Sequence, residues 1–209
     1  MIKFEQIEVW GIKHAIRGMR NPLNSWERSD TVFDGDKMCL GENDIDLMTR
    51  LIRGGAPHRK FLRQIFVSVD ITAPLYWWKE FDTYKVGTTA NSCSTMHKIH
   101  AKEFEVEDFS TEHLSPLSFS VLRNLIDVIN LEREHYIACK DKDCWWQMIQ
   151  LLPTSYNQKR TVTMTYENLL NMLEYRRGHK LDEWRMFCDW IITLPYGSLL
   201  KEGVGNEQS

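Results

Sequence analysis

From Val67 to Thr72 the chain alternates apolar and polar side chains, and the whole run IFVSVDIT reads as a half-buried strand closed by Pro74. The aromatic stretch that follows, LYWWKEF, has helical spacing. At the start of the chain, IKFEQIEVWG places Ile2, Phe4, Ile7, Val9 and Trp10 in a looser alternation that predicts an opening strand. GENDIDLMTRLIRGG predicts a helix with Ile45, Met48 and Ile52 on one face, Asn43 or Asp44 accepting from the first-turn amides, and Gly54-Gly55 at its end. Pro57 is then expected at the first position of a short helix reaching Leu62. Apolar periodicity over 116–132, 144–152, 166–177 and 181–192 predicts four further helices. No internal repeat is visible. The expectation is an α/β (α+β) fold: a single domain, 1–209, with a central mixed or antiparallel sheet flanked by helices and a helical C-terminal half.

Two places depart from this patterning. DTYKVGTTANSCSTMH, residues 82–97, gathers Thr83, Thr88, Thr89, Asn91, Ser92, Ser94 and Thr95 around Lys85 and Gly87, a composition suited to wrapping a polar ligand. In TMTYENLLNMLEYR, Leu169, Met172 and Leu173 form a stripe at i, i+3 and i+4, and the i+7 position is Arg176. A guanidinium drawn toward a core needs a carboxylate or phosphate partner, either an internal side chain or a bound ligand. Asn171 lies five residues earlier, about 140° around the helix, so it addresses a different group.

Composition then removes whole classes of function. With 209 residues, 43% hydrophobic, the chain is long enough for one substantial core. A formal net charge of -3 lacks the basic excess that a nucleic-acid polymer requires. No apolar run is long enough for a membrane span or has the form of a secretory signal, so a cytoplasmic protein is expected. Five irregularly spaced cysteines fit reduced thiols. His135, Cys139 and Cys144 have no fourth ligand at finger-like spacing, and CKDKDC has the composition of a solvated turn, so no metal is expected. His97 and His100 read as a partly exposed pair, Cys93 as a small thiol with no assignable base, and YWWKEF as core aromatics.

The residues from Pro57 to His97, and again from Leu151 to Trp184, resemble the flavin-dependent thymidylate synthases. His58 keeps the first position of that family's His-x4-Glu-His pattern, while Arg63 and Gln64 stand at the other two. TANSCS keeps Asn91 and Ser94 where the family has Asn and Ser, with Ser92 in place of its Glu. Tyr84-Lys85-Val86 replaces the family's Arg-His-Arg. Toward the C-terminus, "LPxSxxT" and "NxRxLxxFLxLR" lie without a gap over LPTSYNQKRTVTMTYENLLNMLEYR. Pro153, Ser155, Leu169, Leu173 and Arg176 coincide there, Asn171 falls where some members carry a flavin-contacting Asn, and Thr165 and Glu167 replace Asn and Arg.

The resemblance implies reductive methylation of dUMP to dTMP with methylenetetrahydrofolate, NADPH and bound FAD, in a homotetramer with sites between subunits. It implies His58, Tyr84, Asn91 and Asn171 at the cofactor, Ser92, Ser94 and Arg176 at the nucleotide, and Arg176, Lys85 and Ser94 in catalysis, which in such chemistry is mostly positioning and charge. With Arg-His-Arg replaced, Lys85 supplies one charge, as a point and not a fork, and Arg59, Lys60 and Arg63 offer cations at altered positions. A divergent thymidylate synthase or a close pyrimidine-nucleotide variant is one reading. A non-catalytic flavin- or nucleotide-binding homologue is another, and a helical interaction protein a third.

Overall fold

The structure, a computed structural model, describes residues 2–35 and 37–204. Along them run β1 (Lys3–Trp10), α1 (Ile12–Arg20), β2 (Val32–Asp34), β3 (Lys37–Cys39), α2 (Glu42–Arg53), β4 (Phe66–Pro74), α3 (Leu75–Phe81), β5 (Thr89–Ser92), α4 (Pro116–Cys139), α5 (Lys142–Leu151), β6 (Asn157–Thr165), α6 (Tyr166–Arg176) and α7 (Asp182–Thr193). Short 3-10 segments, among them Lys60–Gln64 and Gly197–Gly203, connect them. An antiparallel sheet has the order β1-β4-β6-β5, and β2 pairs with β3 in a small hairpin. The architecture is the α/β one that the patterning predicts.

The strands explain their own sequence patterns. β4 has neighbours on both sides and buries Val67, Val69, Ile71 and Ala73 in strict alternation. β1 lies at an edge, leaves Ile7 and Trp10 exposed, and takes a left-handed step at Gln6 (φ 51°), which accounts for its imperfect alternation. Pro74 caps α3, whose Trp77, Trp78 and Phe81 are buried. The aromatic run is therefore core, as its helical spacing predicts.

The chain divides into two compact units. One contains Asp70–Thr83 and Ala90–Thr161 with the start of β1. Its core gathers Ile99, Phe104 and Phe109 with Leu122, Ile126 and Ile129 of α4 and Met148 of α5. Ser115 starts α4 by accepting from the Ser118 amide, with Pro116 at the first helical position. Lys140, in a left-handed conformation (φ 57°), ends it, and Asp141 caps α5 at once. The two helices are thus joined by a turn of two residues.

The other unit contains Gln6–Val69, Tyr84–Thr89 and the chain from Val162 onward. Here α2 differs from expectation in its start: its cap residue is Gly41, and the acceptor is the carboxylate of Asp30, which takes the amides of Asn43 (2.9 Å) and Asp44 (3.2 Å). The Asp44 side chain instead turns inward to Arg20. Pro57 does not begin a helix. The amides of His58 and Arg59 both bond to the Gly55 carbonyl and hold a turn, and the 3-10 segment starts at Lys60, burying Phe61 and Leu62. A capping box between Thr165 and Asn168 starts α6, which buries Leu169, Leu170, Met172 and Leu173, while α7 buries Trp184, Phe187 and Ile191.

Candidate functional site

The end of α6 is where the apolar stripe predicts a partnered arginine. Leu169, Met172 and Leu173 are buried, and Arg176, next on that stripe, is half-buried. Its Nε donates to the Tyr84 hydroxyl at 2.8 Å, and its guanidinium lies 4.7 Å from the Trp184 ring centre and 5.5 Å from that of Tyr84. The two rings meet edge to face at 5.9 Å. Aromatic faces attract the cation while shielding one side of it from water, so the guanidinium is oriented as well as charged. Trp184 carries no sequence signal for this role, because it sits on the next helix and its spacing reads as core.

The segment 84–89 is tied to the other end of α6 as well. Asn168 Nδ2 donates to the Val86 carbonyl at 2.6 Å while its Oδ1 accepts from the Thr165 amide at 3.0 Å. Gly87 has φ +74°, and a Cβ there would come within 2.9 Å of Asn168 Oδ1. That glycine is required by the approach of Asn168 and by the left-handed turn. Lys85, between the two tethers, is exposed and makes no ion pair among the described residues.

On another face of α6, Asn171 meets Arg59. The buried Arg59 side chain donates from Nε to Glu167 Oε1 at 3.2 Å and from Nη2 to Asn171 Oδ1 at 3.1 Å. Glu167 is buried too, and its second oxygen, Oε2, has no hydrogen-bond partner among the described residues. Arg59 therefore neutralises Glu167 and is not a loose replacement cation. A carboxylate oxygen left dry and unpaired is unfavourable unless a donor arrives from elsewhere. His58 is exposed and lines a cleft of about 490 Å³ with Met19, Asn21, Leu47, Lys60 and Gln64.

Asn91, Ser92 and Ser94 lie in the first unit. The stretch 82–97 is not all loop, since Asn91 and Ser92 belong to the exposed edge strand β5. The Ser94 hydroxyl oxygen accepts the amides of Met96 (3.1 Å) and His97 (2.9 Å), forming a local turn. Cys93 is exposed; its amide donates to the Lys159 carbonyl, and Gln158 Nε2 donates to its carbonyl at 2.7 Å. Beside them a further constellation escapes sequence reasoning: Arg160 stacks 4.2 Å from the Trp78 ring centre, donates to Asp82 at 2.7 Å and bonds Gln158 Oε1 at 2.9 Å.

Comparison with known proteins places the fold. No family model matches the chain, and no curated protein matches it. Among solved structures, a flavin-dependent thymidylate synthase ThyX from Helicobacter pylori complexed with FAD and dUMP superposes with a TM-score of 0.68 at 17% identity, covering 96% of this chain and all of the other. A second structure of that enzyme with FAD and dUMP gives 0.69 at 16% identity, over 99% and 100% of the two chains. A UMP/dUMP methylase PolB from Streptomyces cacaoi bound with 5-Br dUMP gives 0.62 at 14% identity, over 97% and 93%. The chain therefore has the fold of the flavin-dependent thymidylate synthases.

Proposed function

We propose that the chain acts over 1–209 as a single divergent flavin-dependent thymidylate synthase-like domain, methylating dUMP or a close pyrimidine nucleotide with methylenetetrahydrofolate and NADPH as co-substrates. The observation that carries this reading is the half-buried guanidinium of Arg176, oriented by Tyr84 and Trp184 at the end of α6. It occurs in a chain whose fold is that of enzymes solved with dUMP and FAD. Such a cation suits a nucleotide phosphate or a pyrimidine carbonyl on which negative charge develops.

The groups present fit a flavin and a nucleotide. Glu167 Oε2, which has no hydrogen-bond partner among the described residues, is an acceptor for a ring N–H, the kind of donor that both flavin and uracil carry. Asn171, held through its oxygen by Arg59, presents its amide nitrogen as a donor in a fixed orientation. His58 and Lys60 line an open cleft wide enough for part of an anionic dinucleotide. FAD, when bound, supplies the redox chemistry that reductive methylation requires. Lys85 serves as a point charge, Arg176 as catalytic and substrate-binding cation, and Tyr84 as an aromatic wall of the cofactor site. Ser94 accepts two amides through its oxygen, which leaves its hydroxyl proton for a phosphate; Asn91 and Ser92 offer exposed amide and hydroxyl groups.

Self-association belongs to the proposal. α4 exposes Leu117, Val121, Val128 and Leu131, spaced with Asn124 as a helix-packing seam that a homo-oligomer, a tetramer in this reading, would cover. No described helix is long and apolar enough to cross a membrane, and we place the protein in the cytoplasm. One observation favours a second reading, a binding homologue without methyl transfer: Tyr84 stands where the resemblance expects an arginine, and its hydroxyl takes a hydrogen bond from Arg176.

The visible spectrum of the purified protein, with and without added FAD and dUMP, tests the binding. Tritium release from C5 of dUMP tests the chemistry. Flavin absorbance with dUMP-dependent release supports the enzyme; flavin absorbance with no release supports the binding homologue. A protein that binds neither ligand overturns both.

A further inference from the structure

The hairpin of α4 and α5 carries a cluster that the proposed flavin chemistry does not use. Glu132 and His135, one turn apart on α4, and Cys144, in the first turn of α5, place a carboxylate oxygen, an imidazole nitrogen and a thiol sulfur all within 4.8 Å of one another. Spacing alone points to Cys139 instead of Glu132. In the structure Cys139 turns back along its helix and donates to the His135 carbonyl at 2.9 Å. What makes the cluster possible is the two-residue turn: the left-handed Lys140 stops α4, and Asp141 starts α5 directly, so the two helix ends converge.

We infer that Glu132, His135 and Cys144 bind a zinc ion at the α4–α5 hairpin. A thiolate, an imidazole and a carboxylate form a mixed donor set suited to a borderline-soft divalent ion, whereas magnesium and calcium select oxygen alone. The charges close: one carboxylate and one thiolate balance Zn²⁺, while His135 binds neutral. Binding forms the Zn–S bond by displacing the Cys144 thiol proton to solvent. Three protein ligands leave the fourth tetrahedral position to water. The ion would clamp the two helices at the end opposite the buried Leu122.

The test uses full-length, reduced protein with no polyhistidine tag. Co²⁺ serves as the spectroscopic probe, and Zn²⁺ affinity is read by competition with a chromophoric chelator. One equivalent of Co²⁺ is expected to give a thiolate-to-cobalt charge-transfer band that Cys144→Ser abolishes. Zn²⁺ affinity should fall at least tenfold in His135→Ala and in Glu132→Gln, and remain within twofold of the parent in Cys139→Ser. Circular dichroism of each variant separates loss of ligand from loss of fold. Absence of the band in the parent, its survival in Cys144→Ser, or equal Zn²⁺ affinity in the parent and the folded His135→Ala variant would overturn the assignment. Flavin binding plays no part in any of these readouts.

Discussion

Arg20 with Asp44 and Arg59 with Glu167 are two buried ion pairs of the same unit, and they differ in how fully the carboxylate of each is hydrogen-bonded. Asp44 is fully buried, and both of its oxygens are used. Oδ1 takes Arg20 Nε at 2.7 Å, while Oδ2 takes the hydroxyls of Ser29 (2.7 Å) and Thr31 (2.6 Å) and the Thr31 amide (3.2 Å). Arg20 Nη2 adds an ionic contact at 2.6 Å without hydrogen-bond geometry. Glu167 has Arg59 on Oε1 and nothing described on Oε2. A completed pair joins α1, the 29–31 loop and α2, and its work is structural. An incomplete one, beside Asn171, leaves a buried acceptor without its donor.

Removing the completed pair should have the largest effect. Asp44→Ala strands the Arg20 cation in the core and is expected to destabilise the fold by ~3–5 kcal/mol, read from urea denaturation. The same carboxylate sets a pH dependence. Burial works to raise its pKa, but hydrogen bonds from Thr31, Ser29 and Arg20 outweigh it and hold Asp44 below its ordinary 3.8. Because the folded value is the lower one, its contribution is complete above 3.8 and is lost as the pH falls through the depressed folded value. Asp44→Asn should flatten that part of the acid unfolding profile; an unchanged profile would assign the acid sensitivity elsewhere.

The incomplete pair should respond in binding. Glu167→Gln puts a donor where an acceptor is needed and is expected to weaken flavin or nucleotide binding at least tenfold, about 1.4 kcal/mol. Equal ligand affinity in the variant would remove Oε2 from the site and make the two pairs alike. Arg176→Met sharpens the same contrast at the far end of α6. We expect ligand-free melting close to the parent's and nucleotide affinity at least tenfold lower, about 1.4 kcal/mol. A variant that melts far below the parent yet gains the same stabilisation from dUMP would show that Arg176 is structural, like Arg20. The smallest effect belongs to Asp30→Ala, which removes the cap of α2 while leaving Asp44 in place, at a cost of about 1 kcal/mol in the same urea assay.

Elements that depend on neighbours in sequence were legible. Alternation marked β4, periodicity marked α4 to α7, and the i+7 place of Arg176 announced a guanidinium that is not fully solvated. Each follows from side chains whose directions are set by their own backbone, 3.6 residues per turn or two per pleat. Asn91 and Ser92 were legible as polar but not as strand, because β5 exists through its pairing and not through its propensity. The Thr165–Asn168 capping box was within reach of spacing, since its partners are three residues apart.

Polar partnership was decided only by the tertiary structure. Asp30 caps a helix that begins twelve residues later. Arg59 reaches Glu167 across 108 positions, and Tyr84 reaches Arg176 across 92. Glu132 rather than Cys139 meets Cys144 because the turn at Lys140 and Asp141 sets which faces of two helices converge. Apolar burial is collective and tolerant of the exact neighbour, so its pattern is written along the chain. A hydrogen bond or ion pair requires one particular atom within about 3 Å, and that distance is set by how distant segments pack.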